Sequence, residues 1–180
     1  MMEKYKGRQV YLGIPFLAAL LLAIKWGHID NYILLQRILL IIFGYLASVT
    51  DIRSKRVPNK LVGAMAAAWI LVIVPQLFFQ TEKALAIMLS GLIGFVMAGL
   101  LFLVVYLISR KGLGGGDVKL MAAAGLYLGF NGILPAMLYG SVLASVFALV
   151  LILAKKIGRK DAIPLVPFLY VGMLLTMFLQ

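Results

Sequence analysis

Seven apolar runs divide this chain, separated by short polar loops: residues 10–24, 33–50, 61–79, 84–109, 118–130, 133–154 and 163–179. A helix that crosses a bilayer needs ~20 largely apolar residues, with ~17 as a lower limit. The third, fourth and sixth runs meet that length outright. The first and seventh are shorter, and Trp26 is placed to anchor the first at an interface. Lipid offers no partner to a backbone N–H or C=O, so runs of this kind become helices. Composition agrees, with 64% hydrophobic and 13% charged residues, where soluble domains hold roughly half and a quarter. The expected fold is an all-α, polytopic transmembrane bundle of about seven spans, or six if the first segment is not a full span.

Lys4, Lys6 and Arg8 precede the first run, as in a signal peptide. No small-x-small cleavage site follows Ile24, and a retained first span is the expectation. Residues 1–180 then form one domain, with 1–32 an extra N-terminal span and 33–180 the core.

The loop charges assign sides. With a cytoplasmic N-terminus, Lys4, Lys6 and Arg8 face in. So do Arg53, Lys55, Arg56 and Lys60, then Arg110, Lys111 and Lys119, then Lys155, Lys156, Arg159 and Lys160. Only Lys25 and Lys83 fall outside, and Arg37 lies one turn inside the second run, where its long stem can snorkel. Basic loops mark the cytoplasmic face of a cell membrane. The net charge of +11 therefore reads as topology and anionic-lipid contact, not as a nucleic-acid surface. The chain has no cysteine and a single histidine, His28. Disulfides, Cys-based zinc sites, thiol nucleophiles and His-rich metal sites are excluded, and no metal or organic cofactor is expected.

Six residues are acidic, and two of them sit where an apolar run meets a polar loop. Asp51 opens Asp51-Ile-Arg-Ser-Lys-Arg-Val-Pro-Asn59, and Asp117 closes Gly112-Leu-Gly-Gly-Gly-Asp117. A carboxylate at a membrane boundary is costly and marks a functional position. The third and fourth runs form an even hairpin between the two aspartates, which returns both to the cytoplasmic face. The fifth run, 118–130, amounts to ~20 Å of helix against a ~30 Å hydrocarbon core. Either that helix continues past Asn131-Gly132 toward Leu134, or a glycine loop carrying Asp117 dips inward. Gly114, Gly115 and Gly116 let such a loop approach an extended peptide closely.

If the two carboxyls meet, they share a proton. The ionised member takes a proton from water and the protonated member donates to a carbonyl under attack. The same aspartates also suit a proton-coupled transporter or channel, or a structural membrane protein with salt-bridged acids. Small residues, with Gly125-x-x-x-Gly129 against Gly91, Gly94, Ala98 and Gly99, fit close helix packing.

Gly114-Gly-Gly-Asp117 resembles the G-x-G-D motif of intramembrane aspartyl proteases. The longer run Gly112-Leu-Gly-Gly-Gly-Asp-Val-Lys-Leu-Met-Ala-Ala-Ala-Gly125 is similar to the type IV prepilin peptidase family in particular. Asp51 with Pro58-Asn59 resembles that family's first catalytic stretch, and Ile163-Pro-Leu-Val-Pro-Phe168 its C-terminal proline motif, with Val166 where the family often has glycine. The resemblance runs from about Phe43 onward. It implies an aspartic endopeptidase that cuts the basic leader from prepilin or pseudopilin precursors on the cytoplasmic side. Asp51 and Asp117 carry over as the catalytic pair, and Gly114 and Gly116, with Gly115 between them, as the motif loop. Lys119 carries over as a motif residue that either holds a carboxylate or contacts lipid. Large members add a domain with paired Cys-x-x-Cys motifs and methylate the new N-terminus; a cysteine-free chain resembles the short, peptidase-only branch.

Overall fold

The computed structural model describes residues 30–109, 113–156, 158 and 163–180. Among them the chain is helical throughout: α1 Asn31–Ser54, α2 Asn59–Phe79, α3 Thr81–Ile108, α4 Gly115–Leu153 and α5 Val166–Leu179.

The helix ends follow from local chemistry. Asp30 precedes α1 and its carboxylate accepts from the N–H of Tyr32 at 3.1 Å, the usual way to satisfy an orphan donor at a helix start. Lys55 ends α1 in the left-handed region (φ 50°, ψ 36°), which lets its N–H reach the carbonyl of Asp51 at 2.7 Å. Pro58 then blocks continuation, and α2 starts at the next residue.

Four of the five helices are long and apolar enough to cross a membrane. Large side chains such as Leu71, Phe78, Leu107 and Ile108 point away from the protein, as suits a molecule whose lateral solvent is lipid. The expectation of about seven spans is not supported. The first run lies outside the described residues. The fifth and sixth join in α4, of 39 residues, and the seventh yields α5, of only 14 residues.

At 39 residues α4 would stretch ~58 Å if straight. It is broken at Gly129, which has φ 65° and ψ −175°, a region open essentially to glycine alone. The first limb, 115–128, lies antiparallel on α3. A Cβ on Gly91 would stand 2.6 Å from the Leu126 carbonyl oxygen, and one on Gly94 2.5 Å from that of Gly125. These backbones touch because neither residue has a side chain in the way. The second limb, 130–153, lies antiparallel on α5: Gly140 meets Leu169, Ala136 meets Gly172, and the rings of Phe147 and Phe168 are 5.1 Å apart. α5 begins beside Asp51 and ends where the Gln180 side chain donates to the Asn131 carbonyl at 3.3 Å. The second limb of α4 therefore runs back toward the end of the bundle at which α4 began.

Between these helices lies an apolar core that includes Leu40, Ile41, Met65, Leu120, Met121, Leu169 and Met173. Tyr127 joins α4 to α2 by donating to the Met65 carbonyl at 2.6 Å.

Candidate active site

The antiparallel α2–α3 hairpin brings the end of α1 and the start of α4 to the same end of the bundle. Asp51 is 5% exposed and Asp117 8%. Both line one cavity of about 430 Å³, within the size range of small-molecule and peptide sites. The two carboxyls are within electrostatic reach of each other. The walls come from three loops: Lys55 to Asn59, the glycines before Asp117, and Ile163 to Leu165.

Each carboxyl is held at the start of a helix. Oδ2 of Asp51 accepts from the N–H of Val166, the first residue of α5, at 3.1 Å. Oδ2 of Asp117 accepts from the N–H of Gly114 at 3.1 Å, and the N–H of Asp117 donates back to the Gly114 carbonyl at 3.1 Å. A helix N-terminus offers unpaired donors and the positive end of its dipole. Backbone donors thus accommodate both buried acids, and the Lys55 charge also acts on Asp51.

The glycines differ in purpose. Gly115 and Gly116 are the first helical residues of α4, not part of a loop that dips with Asp117 at its tip. Asp117 lies in the first helical turn, and the turn before it is closed by its own carboxylate. A Cβ on Gly114 would stand 3.1 Å from Asp117 Oδ2. One on Gly116 would stand 3.1 Å from the Val57 Cβ and 3.2 Å from its backbone nitrogen. Gly115 meets only the ring of Tyr106, at 4.0 Å.

The Lys119 ammonium is exposed and engages a side chain at the start of α2. It donates to Oδ1 of Asn59 at 3.1 Å, tying the start of α4 to the start of α2 beside the cavity. Two features were not foreseen from sequence: the Val166 N–H on Asp51, and Val57 as the wall behind Gly116. Pro167, in the first turn of α5, is the signal that locates the former, because proline marks a helix start and a helix start is where a carboxylate is welcome.

The fold is that of a membrane protein, a bundle of apolar helices with two buried aspartates lining one cavity at one end. The family follows from comparison: the chain belongs to the type IV leader peptidase family, whose model matches residues 38–149. It is similar to a prepilin leader peptidase/N-methyltransferase of Xanthomonas campestris pv. campestris, at 27% identity over 175 residues, 94% of this chain and 60% of that protein. It is also similar to a prepilin leader peptidase/N-methyltransferase of Bacillus subtilis, at 27% identity over 139 residues, 73% of this chain and 50% of that protein. The chain therefore spans between half and two thirds of these relatives' length. No solved structure matches it significantly.

Proposed function

We propose that this chain is an intramembrane aspartic endopeptidase that removes the basic leader from prepilin or pseudopilin precursors, with Asp51 and Asp117 as its catalytic pair. One observation carries the reading: the two aspartates, 66 positions apart by their numbers, line a single cavity in a chain of the leader peptidase family.

The residues have separate tasks. Val166 and Gly114 each fix one carboxyl oxygen by a backbone N–H, so the carboxyls do not rotate freely. The pair shares one proton, since two carboxylates in one poorly hydrated site do not both ionise. The ionised member accepts a proton from water, whose oxygen attacks the scissile carbonyl. The protonated member donates to that carbonyl oxygen, and the proton returns to the departing amine. The peptide lies extended along the loop 55–59 and the glycine turn, since a helical peptide keeps its carbonyls bonded. Asn59 and Lys119 hold these two walls in register.

Arg53, Lys55, Arg56 and Lys60 flank the Asp51 end of the bundle, which supports a cytoplasmic site in a cell membrane. Residues 33–180 are read as the peptidase core and 1–32 as an additional span. The two limbs of α4 are read as separate crossings, which gives the seven-span arrangement with a cytoplasmic N-terminus. The activity proposed for these residues is the peptidase one, which the two aspartates and their shared cavity support. The proton-relay reading is not favoured, because the family match is to leader peptidases.

The test is coexpression with a type IV prepilin, read by leader removal on a gel and by mass. Wild-type membranes shorten the precursor. Asp51→Ala and Asp117→Ala, at normal protein levels, lower the rate by at least ~100-fold, the scale of a lost acid–base group. Full processing by either variant overturns the assignment.

A further inference from the structure

The two aspartates are not held alike. The carboxylate of Asp117 takes one backbone N–H, that of Gly114 at 3.1 Å. The carboxylate of Asp51 takes the N–H of Val166 at 3.1 Å and a further backbone bond from Leu165. The charge of Lys55 acts on Asp51 as well, and Lys55 borders the same cavity as both carboxyls. In a buried site each added donor or cation favours the ionised form of the carboxylate it faces. Unequal support therefore decides which member keeps a shared proton.

The place of Lys55 is set by its backbone. Its N–H donates to the carbonyl of Asp51 at 2.7 Å and closes the last turn of α1. That turn has φ 50° and ψ 36° at residue 55, where glycine is the usual residue and a side chain is strained. A lysine at this position ends the helix and also keeps a cation one turn past Asp51. The one other non-glycine with a positive φ among the described residues is Lys155, which follows α4 and does not line the cavity. Of the remaining cations at this end, Arg56 lines the cavity next to Lys55, Lys119 donates to Asn59, and Arg53 and Lys60 are exposed. The wall before α5 adds only Ile163, Pro164 and Leu165, none of them charged.

We propose that Asp51 is the ionised member of the pair and Asp117 the protonated one, with Lys55 as the positioning charge that sets this order. The catalytic roles that follow rest on the peptidase reading; the unequal protonation does not. Asp51 takes a proton from water, whose oxygen bonds to the scissile carbonyl carbon, while Asp117 gives its proton to the carbonyl oxygen. Asp51 then passes its proton to the departing amine as the C–N bond breaks, and Asp117 recovers one from the hydroxyl as the carbonyl re-forms. Each acid ends as it began.

The experiment labels the full chain in detergent with two reagents of opposite preference. An aryloxy-epoxide is opened by an ionised carboxylate, whose oxygen bonds to a ring carbon as the ring C–O bond breaks. A diazoacetyl ester reacts with a protonated carboxyl, which gives its proton to the diazo carbon before dinitrogen leaves and the new ester forms. Peptide mass spectrometry reads the site of each adduct. The epoxide is expected on Asp51 and the diazo reagent on Asp117, each preferred by at least about tenfold, the scale of one charge-assisted contact. Lys55→Gln and Lys55→Gly narrow both preferences several-fold, Lys55→Arg keeps them, and Lys60→Gln leaves them as in wild type. Melting temperature reports folding. Lys55→Gly, relieved of the strained turn, holds or gains stability as Lys155→Gly does, which separates its lost preference from a folding defect.

The rate–pH profile of leader removal is the second readout, and it decides where neither reagent enters the cavity. Without the Lys55 charge, Asp51 takes up a proton at higher pH. The acid limb of Lys55→Gln therefore moves up by roughly 0.5–1 pH unit, while the alkaline limb, where Asp117 loses the shared proton, stays. Wild-type labelling of Asp117 by the epoxide, or of both aspartates equally, overturns the assignment. Wild-type preferences or an unmoved acid limb in Lys55→Gln overturn the role of Lys55. A chain that labels as expected and leaves prepilin uncut retains the unequal pair and removes the peptidase reading alone.

Discussion

Gly114, Gly115 and Gly116 look alike in the sequence, and the structure separates them. Alanine at Gly114 presses on the carboxyl of Asp117, and at Gly116 on the backbone of Val57, with both contacts near 3.1 Å. The Gly114 backbone (φ −78°, ψ 138°) itself suits any residue, so the effect there is contact, not strain. Displacing a reacting group by a few tenths of an ångström costs rate steeply. Gly114→Ala and Gly116→Ala are expected to slow leader removal by about tenfold or more, while Gly115→Ala, with only a ring edge at 4.0 Å, leaves it within about twofold of wild type. Initial rates on a purified prepilin peptide check this. The proposed shared proton predicts a signature of its own. Rate falls at low pH when both aspartates are protonated and again at high pH when both are ionised, so a rate–pH profile on the same peptide is bell-shaped. The aspartates were legible in the sequence because acids are scarce in it and costly at a membrane boundary. The donors that hold them were not, because a backbone N–H belongs to every residue but proline and leaves no trace in residue type.

Helix α4 shows where element-level reading stops. The lengths of the fifth and sixth runs pose a choice between a continued helix and a dipping loop. The structure has a helix that continues and then breaks at Gly129. Nothing in the residue type separates that glycine from Gly125, four positions earlier, which is an ordinary packing residue. The difference is the backbone: Gly129 alone among the described glycines has a positive φ, and a Cβ there meets the hydroxyl of Ser90. Gly129→Ala is expected to cost about 1–3 kcal/mol, read as a lower melting temperature in detergent. Gly63→Ala, in the second turn of α2 with nothing within 4 Å, is expected to be neutral or to stabilise by up to about 1 kcal/mol. The small-residue stripe on α3 was legible, and Gly91 and Gly94 do receive the first limb of α4.

For the whole molecule, the hydrophobic pattern announced helices and a membrane. The even hairpin announced that both aspartates return to one end. The number of crossings was not legible from run lengths, since a helix reversed at one residue and a helix of 14 residues both defeat a count based on ~20-residue windows. Sidedness is open to direct measurement because the chain contains no cysteine and any introduced thiol is unique. Arg56→Cys, at the aspartate end, is expected to react with an impermeant maleimide only in inside-out vesicles. Lys83→Cys, past the α2–α3 turn, is expected to react only in right-side-out ones. Labelling in the reverse sense places the site outside.

The break at Gly129 also constrains how this protein is made. The first limb of α4 is ~20 Å long, starts with two glycines and an acid, and is too short to settle in a ~30 Å hydrocarbon layer unaided. Its insertion therefore depends on a surface already waiting for it, the glycine stripe of α3, synthesised just before. The second limb in turn waits for α5, which is synthesised after it and brings the N–H that fixes Asp51. A ribosome that stalls before Val166 therefore leaves a bundle with both acids but without the donor that orients one of them.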